Sequence, residues 1–323
     1  MAWKRSVIVT GGTANLGYHA ALNIARSHPD YLVMLSSRSD KDKAADAINK
    51  ALGQDNTMFI PLDLASQANV REYAKQWKTK GYPPIQMLLL NAGLQFPGAL
   101  TKTVDGIEAT FGVNHVGHAL LFHLLYPYLA DTARIVLTSS GTHDPAMKSG
   151  LPDAVYESAE DLAHPPASMT DVPGRQRYAS SKLVNVLWTY ALDRRLSKQR
   201  PQRTMTVNAF DPGLMPGTGL AREGTRVERF LWLRVMPCIM PLLRVAVTPN
   251  THSPAESGAA LARLAEGDGG GESGKYYEGV KEIKSSVDSY VIEKQEDLWR
   301  WTVGYVAGSD AERAQFDELT GFK

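Results

Sequence analysis

Seven short apolar runs punctuate the chain, at about 6–10, 31–36, 57–62, 85–90, 134–139, 205–210 and 275–277, with helical patterns between most of them. Strand and helix alternating at this spacing predict an α/β fold: a doubly wound parallel sheet of about seven strands with helices on both faces. The connections are expected to be right-handed. Ligands of such sheets bind beyond the carboxyl ends of the strands. Gly11, Asn91, Ser140 and Pro212 all fall there. Neither an internal repeat nor a membrane span interrupts the pattern, so residues 1–323 are expected to form a single domain.

The first run leads into SVIVTGGTANLG, Ser6 to Gly17, a strand, a glycine turn and the start of a helix. Glycines let the backbone approach a pyrophosphate, and a helix N-terminus offers free N–H groups and positive dipole. Asn15 stands where a middle glycine would be expected. Asparagine is among the few residues that tolerate a left-handed backbone. Further on, YASSK places Tyr178 and Lys182 one helical turn apart on the same face. A phenol near its ordinary pKa of roughly 10 exchanges protons poorly at neutral pH, and a neighbouring ammonium favours the phenolate. That pairing suits proton transfer to and from a carbonyl or alcohol oxygen. Between and beyond these stand NAG (Asn91 to Gly93), NHVGH (Asn114 to His118), RIVLTSS ending at Ser140, and DPG (Asp211 to Gly213).

With these motifs in this order, the chain resembles the short-chain dehydrogenase/reductase family, whose glycine motif is TGxxxGxG and whose catalytic motif is YxxxK. The resemblance spans essentially the whole chain and implies a Rossmann-type fold. It implies a catalytic group of Asn114, Ser140, Tyr178 and Lys182, with Ser139 as the alternative to Ser140. It also implies a nicotinamide cofactor held by Gly11, Thr13, Asn15, Leu16, Gly17, Asp63, Leu64, Asn91, Ala92, Gly93, Tyr178, Lys182, Pro212, Gly213 and Thr218. Cofactor choice is written after the second strand, where an acid would hold the ribose hydroxyl of NAD and an arginine accommodates the 2′-phosphate of NADP. Here the strand runs into Ser36, Ser37 and Arg38 with no acid before the arginine, which favours NADP(H). Ser37 can bond the phosphate and Lys41 can add charge.

Two segments exceed the minimal fold and carry what the sequence says of substrate. Residues 141–177, rich in Pro, Asp and Glu, form an insertion that leaves the active site and returns to it, with His143 at its near end. Residues 214–254 follow DPG directly, as does the family's substrate cover, and are expected to form a small helical lid. Leu214, Trp232 and Met236, with Ser140, Tyr178 and His143, are the expected substrate contacts. In 222–247 the apolar residues are interrupted by Arg234, Pro237, Pro241 and Arg244, too broken for a membrane span. The lid should have an apolar underside, and membrane contact is the lesser expectation. NHVGHALL resembles the retinol dehydrogenase branch, whereas TGLARE (Thr218 to Glu223), SGKYY and KQEDLWRW resemble the light-dependent protochlorophyllide reductases. Those carry a cysteine where this chain has Leu214, which argues against their photochemistry.

Composition trims the alternatives. At 323 residues, 43% apolar and 21% charged, the chain can build one large core. A net charge of +1 gives no footprint for nucleic acid. One cysteine, Cys238, excludes an intrachain disulfide and a Cys-rich metal site, and His19, His115 and His252 lack ligand spacing, so no metal is expected. Entry into the first strand directly after MAWKR leads to the expectation of a cytoplasmic protein without a signal peptide. The family resemblance implies a homodimer pairing the helices that carry 114–128 and 178–198. The expected function is NADP(H)-dependent interconversion of a ketone or aldehyde and an alcohol on a bulky apolar small molecule, such as a secondary metabolite. Reduction of a C=C bond, or a non-redox sensor or isomerase on the same fold, are the rival readings.

Overall fold

The computed structural model describes residues 3–199, 201–219, 224–268 and 271–319. Its strands are β1 (Arg5–Thr10), β2 (Tyr31–Ser37), β3 (Thr57–Pro61), β4 (Ile85–Leu90), β5 (Leu129–Thr138), β6 (Thr206–Asp211), β7 (Lys275–Glu278) and β8 (Lys281–Ile283). The helices are α1 (Asn15–Ser27), α2 (Ala44–Leu52), α3 (Gln67–Lys80), α4 (Ala109–Phe111), α5 (Gly117–Leu125), α6 (Ala159–Ala163), α7 (Gly174–Ser197), α8 (Arg226–Phe230), α9 (Met240–Ala246), α10 (Pro254–Glu266), α11 (Ile292–Val306) and α12 (Asp310–Glu318). A π turn at Gly112–Val116 joins α4 to α5.

One sheet runs β3, β2, β1, β4, β5, β6, β7, β8. All neighbours are parallel except β7 and β8, which form an antiparallel hairpin. The seven expected strands are all present. The eighth, KEI, is short, with Lys281 and Glu282 exposed, and leaves little apolar signal. Chain order reverses between β1 and β4, so the crevice at their carboxyl ends is the ligand position of such sheets.

Each face of the sheet has its own core. On one, α1 lays Ala20, Ala21 and Ile24 against Leu261 and Ala265 of α10. The two helices meet so closely that a Cβ at Gly258 would lie 2.4 Å from the Cβ of His19. The other face carries α3, α5, α7, α11 and α12. Eighteen of the 24 residues of α7 are buried, because α11 covers the side that faces away from the sheet. Trp299 of α11 stacks on Trp188 at 6.3 Å and meets the His123 ring edge-on at 5.4 Å. Phe316 of α12 closes over His123 at 4.6 Å. The helices implied as a dimer face are thus covered by the chain's own carboxyl-terminal helices.

The insertion at 141–177 is folded rather than a loose loop. Tyr156, Ala159 and Ala163 are buried in the larger core. Tyr156 donates its hydroxyl to Asp297 Oδ2 (2.7 Å), and the Ala159 N–H bonds the same oxygen (2.9 Å). These bonds fasten the insertion to α11. Where it rejoins α7, a Cβ at Gly174 would lie 1.7 Å from Phe96 O, so only glycine fits. The buried Arg177 donates to Gly98 O and Ala99 O, and lies 3.4 Å from Glu108.

Candidate active site

Beyond β1 the backbone turns at Gly11 (φ 68°), and α1 opens on Asn15 at φ 49°, the left-handed conformation its side chain tolerates. A Cβ at Gly17 would lie 2.3 Å from Gly11 O, so the helix crosses the turn only because this residue is glycine. Ala14, at the N-cap of α1, has no side chain with which to cap the first N–H groups. Those donors and the helix dipole face the crevice, which fits a pyrophosphate. Asn91 locks β4 to this turn: its Nδ2 donates to Thr10 O (2.9 Å) and its backbone N–H to Thr10 Oγ1 (2.8 Å).

His118, the last residue of NHVGH, is a member of this network to which the sequence reading gave no role. Its Nδ1 bonds Asn114 O (3.1 Å) and its Nε2 bonds Thr10 Oγ1 (2.9 Å). A carbonyl only accepts, so Nδ1 carries the proton and Nε2 accepts from the threonine. Burial holds the ring neutral by lowering its pKa to about 4. One imidazole therefore joins the turn after β1 to the residue expected in the catalytic group.

Tyr178, Lys182, Ser139 and Thr138 line the same cleft of about 460 Å³ as Gly11, Asn15 and Asn91. Ser139 is spent on structure: it is buried, and its hydroxyl donates to Lys182 O (2.8 Å). Ser140 is half-buried and does not itself line the cleft; its oxygen accepts from Thr142 N (3.3 Å), and its influence on the Tyr178 phenol favours it over Ser139. Lys182 Nζ donates to Thr138 O (3.0 Å) and sits 5.5 Å from the Tyr178 ring centroid. Burial draws its pKa down to about 8, partly offset by the charge of Asp211. Burial, then the Asp211 charge, pushes Tyr178 above the ordinary phenol range, with the Ser140 hydroxyl pulling the other way. The expectation that the phenol's pKa is lowered towards neutrality is not met here, because desolvation by burial is the largest influence on it. A neutral phenol is the state a proton donor needs. Asn114 anchors the chain after NAG: Oδ1 accepts from Leu94 N (2.9 Å), while Nδ2 faces Leu94 O (3.0 Å) and Ser181 Oγ (2.9 Å). A Cβ at Gly93 would lie 3.4 Å from Lys182 Nζ and 3.6 Å from Asn114 Oδ1, so its glycine opens a gap bordered by both.

Around the rim, Ser37, exposed Arg38, Asp63, Leu64, Ala92, Gly93, Pro212, Thr13, Leu16, Gly17 and Thr218 also line the cleft. One oxygen of Asp63 accepts from Ala65 N (3.0 Å), and Ser66, not Asp63, caps α3. Gly213 takes φ 77°, and a Cβ there would lie 2.3 Å from Asn250 Oδ1. Thr218 bonds Met215 O (3.1 Å).

The expected substrate contacts do not all meet. His143 is buried, its ring tilted against Tyr276 at 4.7 Å, its Nδ1 on Ser140 O (2.7 Å) and its Nε2 accepting from Ser286 N (3.1 Å). It braces the serine instead of facing a ligand. Leu214 is tied to the chain at Asn250 and His252, and Met215 lines the cleft instead. Trp232 Nε1 donates to Thr218 O (3.0 Å), which fixes the excursion to the rim; Trp232 and Met236 are half-buried and do not line the cleft. The expected apolar underside is absent: of residues 224–247 only Leu243 is buried. Arg222 and Glu223, at the start of that lid, and the end of TGLARE lie outside the described residues. Leu94, Phe96, Ala109 and Val113 form an apolar wall that sequence reasoning missed. The apolar residues of LQFPGAL, just after NAG, were the available signal. Among the described residues no group of acidic, His or Cys side chains could hold a metal.

The family model described as short chain dehydrogenase matches residues 5–153. A polyprenol dehydrogenase of Homo sapiens is 31% identical over 306 residues, which cover 91% of this chain and 83% of that protein. The chloroplastic protochlorophyllide reductase of Daucus carota is 28% identical over 92% of this chain and 76% of its own length. Among solved structures, a blue fluorescent protein from a metagenomic library, in complex with NADPH, superposes with a TM-score of 0.60. It is 22% identical, over 85% of this chain and 95% of that one.

Proposed function

The chain belongs to the short-chain dehydrogenase/reductase family, and we propose that it is an NADP(H)-dependent enzyme that interconverts a ketone or aldehyde and an alcohol on a bulky apolar small molecule. The observation that carries this reading is the buried Tyr178, one helical turn from Lys182, at the wall of a cleft that begins at the glycine turn.

The cofactor, when bound, supplies or takes the hydride. Tyr178 donates its phenol proton to the oxygen on which negative charge forms. Ser140 holds that oxygen with a second hydrogen bond. Lys182, an ammonium at neutral pH with a pKa near 8, stabilises the phenolate left behind and lies on the cofactor side of the cleft. Asn114 and His118 hold the chain that frames these groups. Ser37 and Arg38 would pair a 2′-phosphate, Asp63 the adenine side, and Thr218 the carboxamide side. NADPH in the superposed protein and the apolar substrate in the human relative's name support the same reading. Cys238, exposed and unpaired, suits the reducing cytoplasm.

Loss of reduced-nicotinamide absorbance on addition of a panel of bulky ketones and aldehydes tests the proposal. Tight NADPH binding with no such loss on any carbonyl would make the protein a sensor. Hydrogens added across a C=C bond would place it with reductases of that type.

A further inference from the structure

Eight of the fourteen large hydrophobic side chains exposed among the described residues lie within 227–247. Val245 is 87% exposed, Leu242 61% and Phe230 60%. Helix α8, the turns after it and α9 pack mainly on one another rather than on the sheet. Exposed arginines, Arg226, Arg229 and Arg234, stand among these apolar groups. The one acid in the stretch, Glu228, pairs with Arg175.

The excursion is nevertheless held in place. Trp232 bonds Thr218 O, Gly217 N bonds Trp232 O (2.9 Å), and Arg244 pairs with Glu256 (2.9 Å). A monomeric protein rarely shows a fixed apolar patch of this kind without a partner for it. Apolar side chains mixed with exposed arginines are the signature of a surface that lies in a lipid headgroup layer. A second copy seated on the same face would bring the two arginine sets together.

We propose that residues 226–247 are a membrane-interface surface that seats the protein on a bilayer containing anionic lipid. The patch is fixed to the rim of the cleft at Thr218, so the cleft mouth lies beside the lipid. Entry of an apolar substrate directly from the bilayer follows if the redox reading above holds. The seating itself does not depend on turnover.

Flotation of the full chain with phosphatidylcholine vesicles containing about one third phosphatidylserine tests it, with pure phosphatidylcholine for comparison. The chain should float with the anionic vesicles and be released by salt. Leu242→Asp with Val245→Asp should abolish flotation. Each arginine near an anionic surface contributes about fivefold, so reversing Arg226, Arg229 and Arg234 to Glu should weaken binding at least about a hundredfold. NADPH titration of each variant checks that it is folded, and binding there should be unchanged. A wild-type chain that stays at the bottom of the gradient overturns the proposal, as does equal flotation of the Asp variant. A lipid-independent dimer that Leu242→Asp dissociates would assign the patch to a second copy.

Discussion

At the residue scale, chemistry follows from what each side chain is kept from doing. Ser139 cannot serve the cleft because its hydroxyl is committed to Lys182 O. His143 cannot, because both ring nitrogens are committed to backbone. Among the described residues Arg38 has no such commitment at the cleft rim, so its guanidinium is available to a 2′-phosphate. Arg38→Ala should weaken NADPH by roughly tenfold to a hundredfold, from a charge-assisted bond of about 1.5–3 kcal/mol, and leave NADH nearly unchanged. Fluorescence titration with both cofactors checks this; equal loss for the two would give Arg38 a structural role only.

At the element scale, α11 does for this chain what a second subunit would otherwise do for α7. Trp299 packs between Trp188 and His123, stacks under Arg195 at 4.0 Å and donates Nε1 to Asp317 (2.8 Å). Trp299→Ala should cost about 3–5 kcal/mol in urea unfolding. A loss well under about 1 kcal/mol would mean that α11 lies loosely on the fold. The parallel strands and the glycine turn were legible in the sequence because short apolar runs and Gly11, Asn15 and Gly17 carry local signals. Strand β8 was not, since its stability comes from the hairpin with β7 rather than from apolar residues. Nor was the order of 141–177, where Tyr156 and Asp297 bond across a long stretch of chain. The lid was misjudged in its facing, because periodicity shows that one side is apolar but not what covers it.

At the scale of the whole molecule, coverage of α5 and α7 by α11 and α12 predicts that no dimer forms through those helices. Their packing also buries three histidines in neutral form. Burial lowers the pKa of His115 to about 3, of His118 to about 4 and of His123 to about 3. Each lies below the ordinary value of about 6.5, so the unfolded chain takes up protons first as pH falls. Their contribution is whole above about pH 6.5 and is lost as pH falls towards about 4 for His118 and about 3 for His115 and His123, at up to about 1.4 kcal/mol per pH unit for each ring. Urea unfolding at pH 7 and pH 5 should show a marked loss. His123→Phe should lessen it, because both nitrogens of that ring are buried without a partner among the described residues. Equal stability at the two pH values would contradict the neutral burial of these rings.

The central claim is that Tyr178 passes the proton while the rest of the cleft holds an NADP cofactor, and Tyr178→Phe isolates that one atom. The measurement is paired: NADPH affinity by fluorescence, and NADPH oxidation with the best bulky ketone, for the wild-type and Phe chains. Affinity should be almost unchanged and turnover should fall by at least about 10²–10⁴-fold, the usual worth of general acid catalysis. A Phe variant that oxidises NADPH at nearly the wild-type rate would contradict the account.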